Sequence, residues 1–305
     1  MPSVTTSRRE ALAFLFGGVL AAAEPIRPVR LAISESMVMD VNLNDARVAM
    51  LIWLKQMASD LNVVIDFNPK VFNTTAEIVA RARSGQLDAV AVNILEYRQM
   101  TDVLDSSQVI AQAGEGGKEQ YLLMARRDGE FQELGNLKGR RLCVQKSPRM
   151  CVANAWLSTV LDEGHFDLPE QFFGSVIGET KVSRVVLPVF FGQTDACLTT
   201  KRTFDTMCEL NPLVGKGLRV IASSPPMVLT FYVYLKNFHG VAREKFTRVF
   251  SELRSSASGR QLATLFQFDA MTIRDGSCLV SALSILDAAD RIRARRIAGG
   301  QKGSS

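Results

Sequence analysis

From Val29 onward, short apolar runs alternate with longer stretches of helical periodicity. That alternation restricts a chain to α/β sheets flanked by helices. The pattern predicts a strand over 29–33, an amphipathic helix over 45–61 and a strand over 63–67. It continues with a helix over 75–84, a strand over 87–92 and a helix over 95–103. Thr74 or Thr75 caps the helix over 75–84, and Gly85 lies just past its end. The run Gly114-Glu115-Gly116-Gly117 interrupts this array. The rhythm then repeats, with strands over 120–125, 141–144, 173–176, 194–198 and 218–222 and helices over 149–162, 182–191 and 202–210. Pro225-Pro226 ends the last of these strands, because proline supplies no ladder donor and biases the chain toward an extended crossing. A strand over 229–235 and helices over 242–255, 258–266 and 278–297 follow. The expected organisation is two α/β lobes joined by two crossings: residues 27–119 plus 227–305 form lobe one and 120–226 lobe two. Such sheets hold ligands in a cleft at the carboxyl ends of their strands.

At 305 residues the chain has room for two lobes of ordinary domain size, about 100–200 residues each. With 47% hydrophobic and 22% charged residues it buries enough apolar surface to fold. The net charge of +5 arises from scattered Lys and Arg, with Arg291, Arg293, Arg295, Arg296 and Lys302 gathered near the end. Without interleaved aromatics this reads as a solvated helix end, and no nucleic-acid partner is expected. Before Val29, Ser7-Arg8-Arg9-Glu10 precedes an apolar run over 11–20 and Ala21-Ala22-Ala23. Residues 1–23 therefore read as a signal peptide suited to the twin-arginine route, too short to span a bilayer, and imply a periplasmic protein.

The five cysteines are an odd number for an oxidising compartment. Cys143 with Cys151, or Cys197 with Cys208, are possible bridges, and each Cys also sits in an apolar stretch where a buried free thiol is the commoner outcome. With two histidines and no Cys-x-x-Cys, neither a metal site nor any other cofactor is expected. No nucleophile and base stand together in a motif, so the chain does not read as an enzyme. Cys151, close to Arg149 at a helix start, is the one thiol whose pKa a neighbour would lower.

Four segments in order carry a resemblance. They are Ala82-Arg83-Ser84-Gly85-Gln86-Leu87-Asp88-Ala89-Val90, Leu137-Lys138-Gly139-Arg140-Arg141-Leu142-Cys143-Val144, Gly192-Gln193-Thr194-Asp195-Ala196-Cys197 and Ser224-Pro225-Pro226 with its following Tyr-containing strand. Together they resemble the phosphate/phosphite/phosphonate substrate-binding proteins of ABC transporters, of the type II periplasmic-binding fold. The resemblance implies mixed sheets of the five-stranded type and a small anionic ligand such as a phosphonate, phosphate or related oxyanion. It also implies a monomer that serves an ABC permease. A sensory domain that signals to a membrane partner without transport is the alternative. Asp88 and Asp195 read as structural turn carboxylates.

The family's anion loop corresponds to 145–152, where its run of hydroxyls is missing. Ser147, Arg149 and the backbone donors at a helix start are left to hold an anion. Acidic positions that serve a ligand amine in relatives correspond to 199–202 and Thr230, which places Arg202 at the cleft. Lobe one supplies Ser34, Ser36 and Asn93 from the loops after its strands, and Tyr232 with Thr230 from the return strand. The candidate ligand-binding set is Ser34, Ser36, Asn93, Ser147, Arg149, Arg202, Thr230 and Tyr232, within a divergent ligand site.

Overall fold

Strand β1 (Val29–Ser34) is buried at five of its six positions, so both of its faces must be covered, as in the interior of an α/β sheet. The computed structural model describes residues 28–38, 42–61, 64–66, 71–266 and 270–302. The leader assigned to 1–23 lies outside the described residues, as do residues 63 and 67 of the second expected strand.

After β1 come α1 (Leu43–Leu61), β2 (Ile65–Asp66), β3 (Phe72–Asn73), α2 (Thr75–Arg83), β4 (Ala89–Asn93), α3 (Ile94–Arg98) and β5 (Leu104–Gln112). The chain continues through β6 (Tyr121–Arg126), β7 (Arg141–Gln145), α4 (Ala153–Glu163), α5 (Pro169–Phe172), β8 (Ser175–Glu179), α6 (Val182–Phe190) and β9 (Ala196–Thr200). It ends with α7 (Lys201–Leu210), α8 (Pro212–Gly217), β10 (Leu218–Ser223), β11 (Thr230–Leu235), α9 (Val241–Ser251), α10 (Ala257–Leu265), β12 (Met271–Asp275) and α11 (Val280–Lys302).

Two mixed sheets result. One runs β12-β5-β11-β4-β1-β2, with β3 also paired to β1, and the other runs β10-β6-β9-β7-β8. The second sheet has five strands; the first has seven where a five-stranded type was expected. Two of the seven, β2 and β3, are two-residue strands flanking β1, and β12 adds an edge beyond β5. The chain passes between the sheets at 113–120 and 224–229. There Glu119 and Met227 form an antiparallel bridge, and the Tyr121 N–H donates to the Ser224 hydroxyl at 2.8 Å.

The two Gly-x-x-Asp-Ala segments do the same structural work in both sheets. Gly85 and Gly192 sit at φ +70° and +73°, the left-handed turn that ends a helix. Asp88 then accepts from the backbone N–H of Arg30 at 2.9 Å and from its guanidinium at 2.9 and 3.1 Å. Asp195 accepts from the N–H of Arg141 at 2.8 Å. Each aspartate thereby satisfies a backbone donor near the start of the neighbouring parallel strand.

Helix α11 follows β12 of the first sheet yet packs on α4 beside the second. Leu279, Ala282, Ile285 and Leu286 share one core with Trp156, Leu157 and Leu161. Its basic end is exposed, as expected of a solvated helix end, and carries surface ion pairs: Arg293 with Glu170 at 3.2 Å, Arg295 with Asp162 and Arg296 with Asp167 at 3.5 Å. On its other side Arg98 of α3 reaches Asp287 and Asp290, both at 2.8 Å. No helix among the described residues is long and apolar enough to cross a membrane.

Candidate functional site

At the carboxyl ends of β1 and β4 a polar network gathers around a carboxylate that the sequence reading did not single out, Glu96. Asn93 ends β4 and caps α3, its Oδ1 accepting from the N–H groups of Leu95 and Glu96, while Glu96 reaches back to the Asn93 N–H at 2.9 Å. This reciprocal cap places the Glu96 side chain inside the protein, 4% exposed. Its Oε1 accepts from the Ser34 hydroxyl at 2.5 Å and the Thr75 hydroxyl at 2.8 Å, and its Oε2 from the Ser36 hydroxyl at 3.0 Å. A hydroxyl carries one proton. The acceptor sides of these hydroxyls are used within the cluster too: Ser34 Oγ accepts from the Ser36 N–H at 3.1 Å, and Ser36 Oγ accepts from the Asn93 Nδ2 amide at 3.0 Å. Of the predicted residues, Ser34, Ser36 and Asn93 are therefore brought together in one internally hydrogen-bonded cluster.

On the second sheet, Gln145 ends β7 and Thr199 and Thr200 end β9, all three buried. Gln145 Oε1 accepts from Thr199 at 2.5 Å and from Thr203 at 3.2 Å. The expected anion loop folds as a short 3-10 turn, Pro148–Met150, ahead of α4. Its backbone donors are all engaged within the protein. Arg149 N–H donates to Ser147 Oγ at 3.2 Å, Met150 to Ser147 O at 2.9 Å, Cys151 to Pro148 O at 3.1 Å and Val152 to the Tyr121 hydroxyl oxygen at 3.2 Å. The positive charge at this loop thus comes from the Arg149 side chain, and Ser147 serves as a cap.

Arg149 and Arg202 both converge on Glu119 in the first crossing. Arg149 Nη1 lies 2.5 Å from Glu119 Oε1 and Arg202 Nε lies 3.8 Å from the same oxygen, while Arg202 also donates to the Gly116 carbonyl. Glu119 is 5% exposed, and its second oxygen has no hydrogen-bond partner among the described residues. A buried acceptor left open in this way costs free energy until a donor meets it. Two guanidinium groups thus converge on this one carboxylate.

Thr230 opens β11 directly opposite Asn93, and Tyr232 follows two residues later on the same face. Both line a cavity of about 110 Å³ with Ser36 and Arg149, so the structure brings four of the eight predicted residues to one space. Ser34 and Asn93 stand behind Ser36, and Arg202 and Ser147 stand beside Arg149. Burial raises the Tyr232 hydroxyl pKa, and its ring packs 4.5 Å from that of Phe250. Among the described residues no cluster of three or more His, Cys, Asp or Glu side chains is placed to hold a metal ion.

Of the two cysteine readings, the structure has the free thiols. All five thiols are free, and neither candidate bridge forms. Cys143 and Cys197 face one another across β7 and β9 in place of the pairs expected. Burial pushes the Cys151 thiol up to about 12, the opposite of the lowering expected from Arg149. Desolvation is the main cause and the carboxylates of Glu96 and Glu119 add to it, while the Arg149 guanidinium is directed at Glu119.

The family model described as ABC transporter, phosphonate, periplasmic substrate-binding protein matches residues 44–276. No curated protein matches by sequence. Among solved structures, the chain is similar to a Xanthomonas citri protein bound to chloride ion (TM-score 0.58, 13% identity, covering 88% of this chain and 99% of that one). It is likewise similar to PhnD1 from Prochlorococcus marinus in complex with methylphosphonate (TM-score 0.57, 16% identity, 88% and 99% covered). A third is a binding-protein component of an ABC phosphonate transporter from Pseudomonas aeruginosa (TM-score 0.52, 15% identity, 92% and 100% covered). The fold is that of type II periplasmic binding proteins.

Proposed function

Because the chain belongs to the phosphonate-binding family of periplasmic ABC-transporter substrate-binding proteins, a class without catalytic activity, we propose that it captures a small oxyanion between its two sheets and delivers it to an ABC permease. The observation that carries this reading is the convergence of Arg149 and Arg202 on Glu119 beside a cavity that both halves of the protein line. Guanidinium groups match oxyanion geometry. The open oxygen of Glu119 favours a ligand that also carries a proton, such as the P–OH of a hydrogen phosphonate. A ligand held by groups from both sides favours the closed form, which is the state a permease reads.

In this reading residues 1–23 direct export, the protein acts in the periplasm, and Arg149 and Arg202 bind the charged oxygens. The test is calorimetric titration of the protein and two variants with methylphosphonate and phosphate. Arg149→Ala and Arg202→Ala are each expected to weaken binding tenfold or more, the equivalent of about 1.4 kcal/mol or above. Unchanged affinity in both variants would refute this placement of the anion.

A further inference from the structure

The end of the second sheet that points away from the cleft carries exposed apolar side chains. Strand β9 opens at that end with Ala196 and reaches the cleft with Thr200, so α6, which precedes it, finishes there and α7, which follows it, runs back to it. Helix α8 then crosses this end and leads into Leu218, the β10 partner of Arg126. The pieces are fastened closely. A Cβ at Gly217 would lie 2.5 Å from the Phe190 ring of α6, one at Gly215 3.1 Å from the Cys208 Sγ of α7, and one at Gly192 2.9 Å from Arg126 Nη1. On the surface of this assembly Phe191 is 63% exposed, Leu210 80% and Leu213 61%. Asn211, between the two leucines, caps α8 by accepting from the Leu213 N–H at 3.1 Å, which leaves a leucine on either side of the helix corner. Side chains this exposed stand out from the surface and do not line a groove.

The charge at this end is positive. Segments 126–141, 190–195 and 207–220, which build it, hold seven Lys or Arg against five Asp or Glu, an excess of two. Three of the five acids are held by guanidinium groups: Asp128 by Arg126, Glu130 by Arg140 and Asp195 by Arg141. Lys216 is exposed one turn past Leu213. A second copy presenting the same face would meet like charge, which disfavours self-association here. Protruding Phe and Leu side chains flanked by Lys and Arg instead match a soft surface that is negative outside and apolar beneath.

We propose that this end of the second sheet docks on an anionic lipid bilayer, with Phe191, Leu210 and Leu213 entering the headgroup region and Lys216 meeting lipid phosphates. Gln145, Thr199 and Thr200 lie at the opposite ends of their strands, so a docked molecule keeps its cleft open to ligand. The inference does not depend on which ligand the cleft takes.

The experiment is cosedimentation of the full chain with vesicles of phosphatidylcholine alone and of phosphatidylcholine and phosphatidylglycerol in equal parts. It is repeated on the double variant Leu210→Ser/Leu213→Ser, on Lys216→Glu and on Val48→Ser, which removes an exposed apolar side chain from α1 beside the first sheet. All substituted side chains are exposed, so unchanged melting temperatures are expected and confirm folding. Every variant shares residues 1–23, so differences from the parent report the substituted surface alone. The parent is expected to bind the mixed vesicles about tenfold or more tightly than the neutral ones, since each basic group at an anionic surface is worth about fivefold. On mixed vesicles Lys216→Glu and the double serine variant should each lose about tenfold, and Val48→Ser should bind like the parent. A double serine variant that binds like the parent, or an equal loss in Val48→Ser, would overturn the proposal. A parent without preference for the anionic vesicles would do the same. Sedimentation equilibrium that shows a dimer abolished by the two serines would also overturn it and make a second copy the occupant.

Discussion

Replacing Glu96 tests the polar network behind the cleft more sharply than any other substitution, because its two conservative alternatives separate. In Glu96→Ala the hydroxyls of Ser34, Ser36 and Thr75 lose their acceptor but rotate toward other partners, whereas the Asn93 N–H, buried at the end of β4, cannot. An orphaned buried donor costs about 1–3 kcal/mol, and the lost charge-assisted bonds and the vacated volume bring the total to about 4 kcal/mol. In Glu96→Gln the amide oxygen takes the place of Oε2 and still accepts from Ser36 and Asn93. The amide NH2 meets the hydroxyls of Ser34 and Thr75, which reverse and accept from it. Only the charge assistance is lost, about 1–2 kcal/mol after removal of the burial cost of the ion. For a chain of this size about 1 kcal/mol moves the Tm by about 2–4 °C, so the alanine variant should melt about 10 °C low and the glutamine variant about 4 °C low. Urea unfolding followed by circular dichroism gives the free energies directly. An alanine variant within about 1 kcal/mol of the parent, or a glutamine variant worse than the alanine one, would refute the network as described.

Other predictions concern the thiols and the acid range. At about pH 8, with its pKa near 12, Cys151 holds roughly one thiolate in ten thousand, so alkylation of Cys151 should be undetectable in the folded protein over hours. In denaturant without reductant all five cysteines should titrate; three or fewer would show a disulfide absent from this structure. For Asp105, burial raises the pKa, but hydrogen bonds from Ser107 and the Arg243 guanidinium outweigh it and hold the carboxyl below its ordinary value. Its stabilisation is therefore complete above about pH 4 and lost as pH falls through the lower folded-state value. Asp105→Asn should lower stability by about 1 kcal/mol or less at neutral pH and flatten its decline in acid, as read from melting curves across that range. An unchanged acid dependence would remove Asp105 from the account.

Most of the fold was legible because its elements carry strong local signals. The strand at 89–93, the αL glycines at 85 and 192 and the prolines at 225 and 226 each mark a boundary by local sterics. The strand over 104–112 was not legible: it opens on Asp105-Ser106-Ser107-Gln108, so that only its second half shows a buried apolar run. Its edge partner, Met271–Asp275, has no fully buried residue and shows no usable alternation.

At the site, Arg149, Ser36, Thr230 and Tyr232 were legible as polar or aromatic groups at strand ends and loops. Glu96 and Glu119 were not, since acidic residues read as solvated until their partners are known. Asn93-x-x-Glu96 is a capping-box spacing that would have flagged the first. The second depends on Arg149, 30 residues further along the chain, and on a crossing whose path no local pattern encodes. The apolar cavity was likewise invisible in sequence, because Met37, Met50, Leu262 and Met271 read as ordinary core residues wherever they fall.

The central claim is that this protein closes on a small oxyanion, and a thermal-shift panel of the full chain tests it most directly. The panel comprises phosphate, phosphite, methyl- and butylphosphonate, a sulfonate and a dicarboxylate. A ligand present at about 100 times its Kd adds about 2.7 kcal/mol to stability, so the account predicts a clear rise in Tm with an oxyanion. No shift with any member of the panel would contradict it.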